Sequence, residues 1–217
     1  VYDIACVART NARLVVTDEG WIKVRAARAV VEKHAREKQP VYGLNTGLGA
    51  SVDTALEDSE MLAFQQRVPH SHSVGVGPTL SREAVRAMMV TRVACMVAGG
   101  SGVSEPVVRA IVAALNAGVH PVIPEWGSIG AADLAPLAHM SLGLMGVGKA
   151  EYNGEVMLAS HALAKAGLKP MELGIKDGHA LVVANSLAVG SACLGLEDAY
   201  SLMEWSLKSV CLNYESF

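Results

Sequence analysis

The chain has 217 residues, of which 51% are hydrophobic, 18% charged and 5% aromatic, with a formal net charge of −3. That length suits one large domain or two modest ones, and the mild acidity without a basic run argues against a nucleic-acid surface. Cys6, Cys95, Cys193 and Cys211 are widely spaced without a CxxC pattern, three of them in apolar stretches, so they read as mostly buried free thiols in a reducing, cytoplasmic compartment.

The chain opens on Val1 in what reads as mid-domain sequence, with no signal-peptide pattern. WIKVRAARAVVEKHAREK (21–38) has a helical period that puts Ile22, Val24, Ala27, Val30 and Val31 near one face, with charges opposite. VYGLNTGLGAS (41–51) is a glycine-rich loop, unable to hold a helix but able to bring backbone close to a ligand. It lacks the Lys-Ser/Thr ending of a Walker loop. Tyr42 at its head is either an ordinary half-buried tyrosine or a phenol placed for acid–base work. VPHSHSVGVG (68–77) carries His70 and His72, two apart, a pair that would share a face on a strand but that more often belongs to a loop with its imidazoles hydrogen-bonded to backbone. No Cys/His/Glu cluster completes a zinc site around them, and no metal is expected.

Ser81 is the expected N-cap of the helix REAVRAMMVTRVACMVAG, with Glu83 in its first turn favouring the dipole. Ser104 is the next cap, Pro106 sits in the permitted first turn, and Gly118 is the stop. Pro121 and Pro124 hold an extended connector. In EWGSIGAADLAPLAHM (125–140), small residues precede an apolar helix, which suits either an anion at a helix N-terminus or a tight helix–helix contact. Tyr152-Asn153-Gly154 signals a small hairpin, followed by a helix over 156–166 ended by Gly167. From about 177 one long helix is expected to run to the end. Its apolar run ALVVANSLAVGSACLGL (180–196) is shorter than a membrane span and reads as buried on every side. SLMEWSLKSVCLNYESF is still in a helical pattern when the sequence stops, so a longer protein is expected. The class is mainly α: a loop-rich amino-terminal domain over 1–175, then the start of a helical bundle over 176–217.

Together these stretches resemble the aromatic amino acid ammonia-lyase family. YGLNTG.G is similar to the family's catalytic-tyrosine loop, and SHSVGVG to its Ser-His-x-x-Gly-x-Gly stretch. GSIG..DLAPLAHM resembles the loop that carries its prosthetic group, and KDGHAL (176–181) the Lys-Glu-Gly-Leu-Ala-Leu opening of its first long central helix. Order and spacing agree over essentially the whole chain, while family members are more than twice as long. The resemblance implies the helical bundle fold shared with fumarase and aspartase. It also implies a homotetramer whose active sites draw on several subunits and on the chain's own carboxy-terminal half. It makes Tyr42 the acid/base tyrosine, has Gly43, Asn45 and Gly47 shape its loop, and puts His72 on the substrate side of the pocket.

Two departures set this chain apart from that pattern. The family has Ala-Ser-Gly before the Asp-Leu of its loop, and these three cyclise to methylidene-imidazolone: the Gly nitrogen attacks the Ala carbonyl and the Ser loses water. Here Ala131-Ala132 stand between Gly130 and Asp133, so no such cofactor is expected. In VVANS (182–186), where the family has Leu-Asn-Gly-Thr, Val183 replaces the asparagine and Asn185 is the candidate to stand in for it. Without an electrophile the substrate nitrogen must leave unaided. A quaternary nitrogen does so, departing as neutral trimethylamine while a deprotonated Tyr42 takes the β-proton. The expected function is therefore that of the ergothionase branch, elimination of trimethylamine from the histidine-like betaine ergothioneine. A histidine or aromatic amino acid ammonia-lyase with an altered loop is one alternative, and a non-catalytic scaffold homologue the other.

Overall fold

A computed structural model of the chain describes residues 1–37, 40–53 and 55–217. It begins with α1 (Tyr2–Thr10) and α2 (Asp18–Glu37), followed by the glycine-rich loop with a 3-10 turn at Gly49–Ser51, and then α3 (Asp58–His72). Next come β1 (Val76–Thr79), α4 (Arg82–Val97), α5 (Glu105–Ala117), β2 (Val119–Pro121) and β3 (Pro124–Trp126). α6 (Leu134–Leu144), the hairpin β4 (Lys149–Tyr152) and β5 (Glu155–Leu158), α7 (Ala159–Lys165), α8 (Asp177–Val182) and α9 (Ser186–Glu215) complete it. The architecture is mainly helical. β1 pairs antiparallel with β3, and β2, β4 and β5 form a small antiparallel sheet.

Local signals explain most element ends. Ser81 Oγ accepts the Ala84 N–H at 3.2 Å, and Gly118 ends α5 in the left-handed region at φ 76°. Ser104 stands at the N-cap position of α5, but its hydroxyl donates to buried Asp177 at 2.6 Å rather than capping the helix. Several expectations are corrected. α2 starts before residue 21 and buries Gly20, Val24 and Val31, whereas Ile22 and Val30 are exposed; the expected end at residue 38 lies outside the described residues. Pro121 and Pro124 belong to strands. Residues 155–158 form the second strand of the hairpin, so the helix expected from 156 begins at Ala159. His70 and His72 lie in the last turn of α3, neither on a strand nor in a loop. Of the four free cysteines only Cys193 is buried.

The core is centred on α4, whose Val85, Met88, Met89, Val93 and Met96 are buried among α1, α5 and α9. Arg86 is buried in the same helix and serves the open ends of two others. It donates to the Val7 and Ala8 carbonyls of α1 and to the Leu115 carbonyl of α5, so its charge meets two negative helix termini. It also donates to His120 Nε2 at 3.0 Å, which holds that imidazole neutral. Burial first, and the Arg86 charge second, push His120 down to about 4. The unfolded chain takes up this proton near pH 6.5, so it binds more protons than the folded state between there and about pH 4. Stability is therefore full above that window and falls as pH drops through it, by up to about 3 kcal/mol from this residue. Urea midpoints of the complete protein at pH 7 and pH 4.5 should show the loss, and His120→Asn should reduce it, leaving the share of His179, which is pushed down to about 4 as well.

The long helix expected from 177 is broken over 183–185, between α8 and α9. The expected domain boundary at 175/176 falls just before α8, which packs on α3 and α6. α9 buries Leu187, Gly190, Cys193 and Leu194 in its first half, so one face rather than every face is covered within this chain. Its second half exposes Tyr200, Leu202, Met203 and Trp205. By length and composition alone, Asp177–Glu215 is long and apolar enough to cross a membrane.

Candidate active site

The Tyr42 loop turns back on itself through two backbone bonds and one from a short polar side chain. Leu44 and Asn45 donate backbone N–H groups to the Val41 carbonyl, and Asn45 Oδ1 accepts the Val41 N–H at 2.7 Å. Gly43 has φ +69°, and a Cβ there would lie 2.5 Å from the His179 ring. Both facts require glycine. Fully buried Gln65 of α3 then ties the loop to α8: its Nε2 donates to the Gly43 carbonyl at 2.9 Å, and its Oε1 accepts the His179 N–H at 3.0 Å. Pro69, inside α3, removes the N–H that would have bonded the Gln65 carbonyl. Against that carbonyl sits Gly178, where a Cβ would be 2.1 Å away.

These contacts place Tyr42 at the wall of a cavity of about 540 Å³, with Gly47, Phe64, His72, His179 and Val183 among its other walls. Tyr42 is 48% exposed. Its Oη accepts the Gly49 N–H at 3.1 Å, which aims a donor at the oxygen that carries the charge when the phenol loses its proton. Its ring stands edge-on to His179, centroids 5.4 Å apart. His72 Nδ1 lies 2.9 Å from the Val68 carbonyl, an acceptor only, so Nδ1 carries the proton and Nε2 is left as an acceptor. His70 is exposed and is not among the cavity walls. Asn45 lines a smaller cleft with Pro40 and Met61 instead. A cavity of about 580 Å³ beside α5 and α7 contains none of the candidate site residues.

Asn185 opens onto a second cavity, of about 510 Å³, with Arg92, Cys95, Lys176 and His179. Arg92 is buried, donates to the Ala180 carbonyl, and has no acceptor for Nε among the described residues. His179 divides the two cavities. Burial, then the Lys176 charge, then His72 push it down to about 4, so it is neutral near pH 7. Gln65, Lys176 and His179 were not singled out in the sequence. The one visible signal was the histidine of KDGHAL, where the similar family pattern carries leucine.

The loop before α6 is anchored by Asp133, which is buried. Its Oδ2 accepts the Leu187 and Ala188 N–H groups at 2.8 and 3.0 Å, its Oδ1 accepts from Ser128 Oγ at 2.7 Å, and its own N–H donates to the Ala184 carbonyl at 2.9 Å. It thus caps the first turn of α9 from across the fold. The residues present do not fit methylidene-imidazolone. Cyclisation needs a free backbone nitrogen two positions after the attacked carbonyl and a hydroxyl between them. Counting from Ala131, that nitrogen is Asp133's, already bound to Ala184, and the residue between is Ala132. The only nearby hydroxyl in the stretch, Ser128, is engaged with Asp133 and Gly130. Among the described residues no group of three or more His, Cys, Asp or Glu side chains could hold a metal ion.

The family model for aromatic amino acid lyases matches residues 1–217. A histidine ammonia-lyase from Symbiobacterium thermophilum is 41% identical over 203 residues, covering 93% of this chain and 40% of the relative. Among solved structures, the ergothionase of Treponema denticola, an ergothioneine-degrading enzyme, superposes with a TM-score of 0.89 at 33% identity, covering 93% of this chain and 40% of that one. The phenylalanine aminomutase of Pantoea agglomerans superposes with a TM-score of 0.91 at 32% identity, covering 95% and 40%. This chain therefore spans about two-fifths of the length of the relatives it matches.

Proposed function

Since this chain belongs to the aromatic amino acid lyase family, we propose that the complete protein is a carbon–nitrogen lyase acting on a histidine-like substrate. The observation that carries this reading is Tyr42, with its oxygen held by the Gly49 N–H at the wall of a cavity it shares with His72 and His179. In the proposed step the phenolate of Tyr42 takes the substrate's β-proton. The carbon–carbon double bond forms as the carbon–nitrogen bond breaks, and the nitrogen leaves with the electron pair. Histidine is the substrate best supported by the relatives, which are histidine ammonia-lyases at 36–43% identity.

One specific observation favours a second reading, release of trimethylamine from ergothioneine. The loop that would supply the family's electrophile carries Ala132 where the group needs a hydroxyl, and its Asp133 nitrogen is already bound to Ala184, which supports a reaction without that group. An unactivated ammonium carries protons far more acidic than the β-proton, and a base in the same pocket removes those first. A trimethylammonium group carries none and departs neutral. The proposed assembly is a homotetramer that includes the protein's carboxy-terminal half, in a reducing cytoplasm that suits four free cysteines.

A substrate panel on the complete protein separates the readings. Ammonia and urocanate from histidine support the first. Trimethylamine and thiourocanate from ergothioneine, with histidine inert and no loss of activity on borohydride treatment, support the second. Inertness to both would leave the non-catalytic scaffold.

A further inference from the structure

His179 is 8% exposed, yet one of its polar atoms has no partner among the described residues. Its backbone N–H is held by Gln65, and Nδ1 lies 3.0 Å from Lys176 Nζ. A lysine nitrogen donates, so Nδ1 is the acceptor and the ring proton resides on Nε2. Nε2–H is itself buried and has no partner among the described residues, although its ring forms part of the wall of the Tyr42 cavity. Leaving such a donor unsatisfied is costly, and a histidine stands here where the similar family pattern has leucine, which would avoid that cost.

Resting on the reading of the Tyr42 cavity as the substrate site, we propose that His179 is a specificity-determining residue whose Nε2–H donates to an acceptor atom on the substrate's side-chain ring. A neutral donor suits a neutral acceptor, such as the unprotonated nitrogen of an imidazole or the sulfur of a thioimidazole. A phenyl ring offers no such atom. A site built around a donor discriminates against rings that leave it unpaired, more sharply than apolar packing alone does. Lys176 is the positioning residue: it sets the tautomer from the second cavity without touching the substrate.

The test uses the complete protein and two acids that cannot undergo the elimination, 3-(imidazol-4-yl)propionate and 3-phenylpropionate, with binding measured by calorimetry. Wild type should prefer the imidazole acid by roughly 10-fold or more, the value of one buried hydrogen bond. His179→Leu, which fits the family pattern and so should fold, should lose that preference while keeping its affinity for the phenyl acid. His179→Gln keeps a donor near the Nε2 position and should recover part of it. Nitrogen NMR of the imidazole should show the Nε2–H tautomer, with the Nε2 proton shifting on addition of the imidazole acid but not the phenyl acid. A His179→Leu protein that discriminates as well as wild type would overturn the assignment. Wild type that binds neither acid would instead overturn the reading of the cavity, and the assignment with it.

Discussion

Tyr42→Phe in the complete protein is expected to lower turnover by about 10³-fold, with KM changed several-fold at most. The substitution removes only Oη. The ring that stands edge-on to His179 remains, as do the Gly43 turn and the Gln65 tie beneath it. The Gly49 N–H that loses its acceptor is exposed, and water can replace the phenol oxygen there at little cost. What disappears is the proton acceptor for the β-carbon, an interaction made in the transition state, and acid–base groups of this kind contribute about 10² to 10⁴ in rate. Steady-state kinetics on whichever substrate the panel identifies would measure it, with a thermal melt to show that folding is unchanged. Equal turnover in the variant would take the tyrosine out of the mechanism.

Asp133→Ala is expected to destabilise the protein by about 3–5 kcal/mol, a large share of a typical domain's total. The carboxylate accepts two backbone N–H groups at the start of α9 and one hydroxyl from the loop. Alanine leaves the buried Leu187 N–H, and its neighbour on Ala188, without acceptors. The negative charge at that helix N-terminus goes as well. Asp133→Asn separates these effects. Its carbonyl oxygen can still accept both N–H groups, so the cap stays while the charge and the acceptor for Ser128 Oγ are lost, and the cost should be about 1–2 kcal/mol. Urea unfolding of both variants would check this. Similar losses in the two would mean that charge, not capping, is what the fold uses Asp133 for.

The two residues stand at opposite ends of what could be read in the chain. Tyr42 and its glycine-rich loop were legible because the turn is made by neighbours: Asn45 bonds Val41, and Gly43 answers a backbone angle within the same few residues. The Ser81 cap, the Gly118 stop and the Asn153-Gly154 hairpin were legible for the same reason, each being a short-range match of a side chain to a backbone need. The helical class followed from periodicity, and the family resemblance from the order of four motifs. By contrast, the two-residue spacing of His70 and His72 left a strand face or a backbone-bonded loop open, and neither is a helix. The capping box of Glu57 and Glu60 starts α3, and its packing on α6 and α8 carries the helix as far as His72.

The sequence by itself therefore determined the helical class, the tyrosine loop and the missing serine before Asp133. Tertiary structure alone decided that Gln65 ties that loop to α8, that Asp133 caps α9 from more than fifty positions away, and that Arg86 closes the ends of α1 and α5. It also decided that His179 stands between two cavities with an unpaired donor. The physical reason is range. Propensity, capping and turn chemistry act over a few residues and leave a trace in the local pattern. A buried donor or acceptor can be satisfied by a partner anywhere in the chain, and that partner emerges only when packing brings the two together.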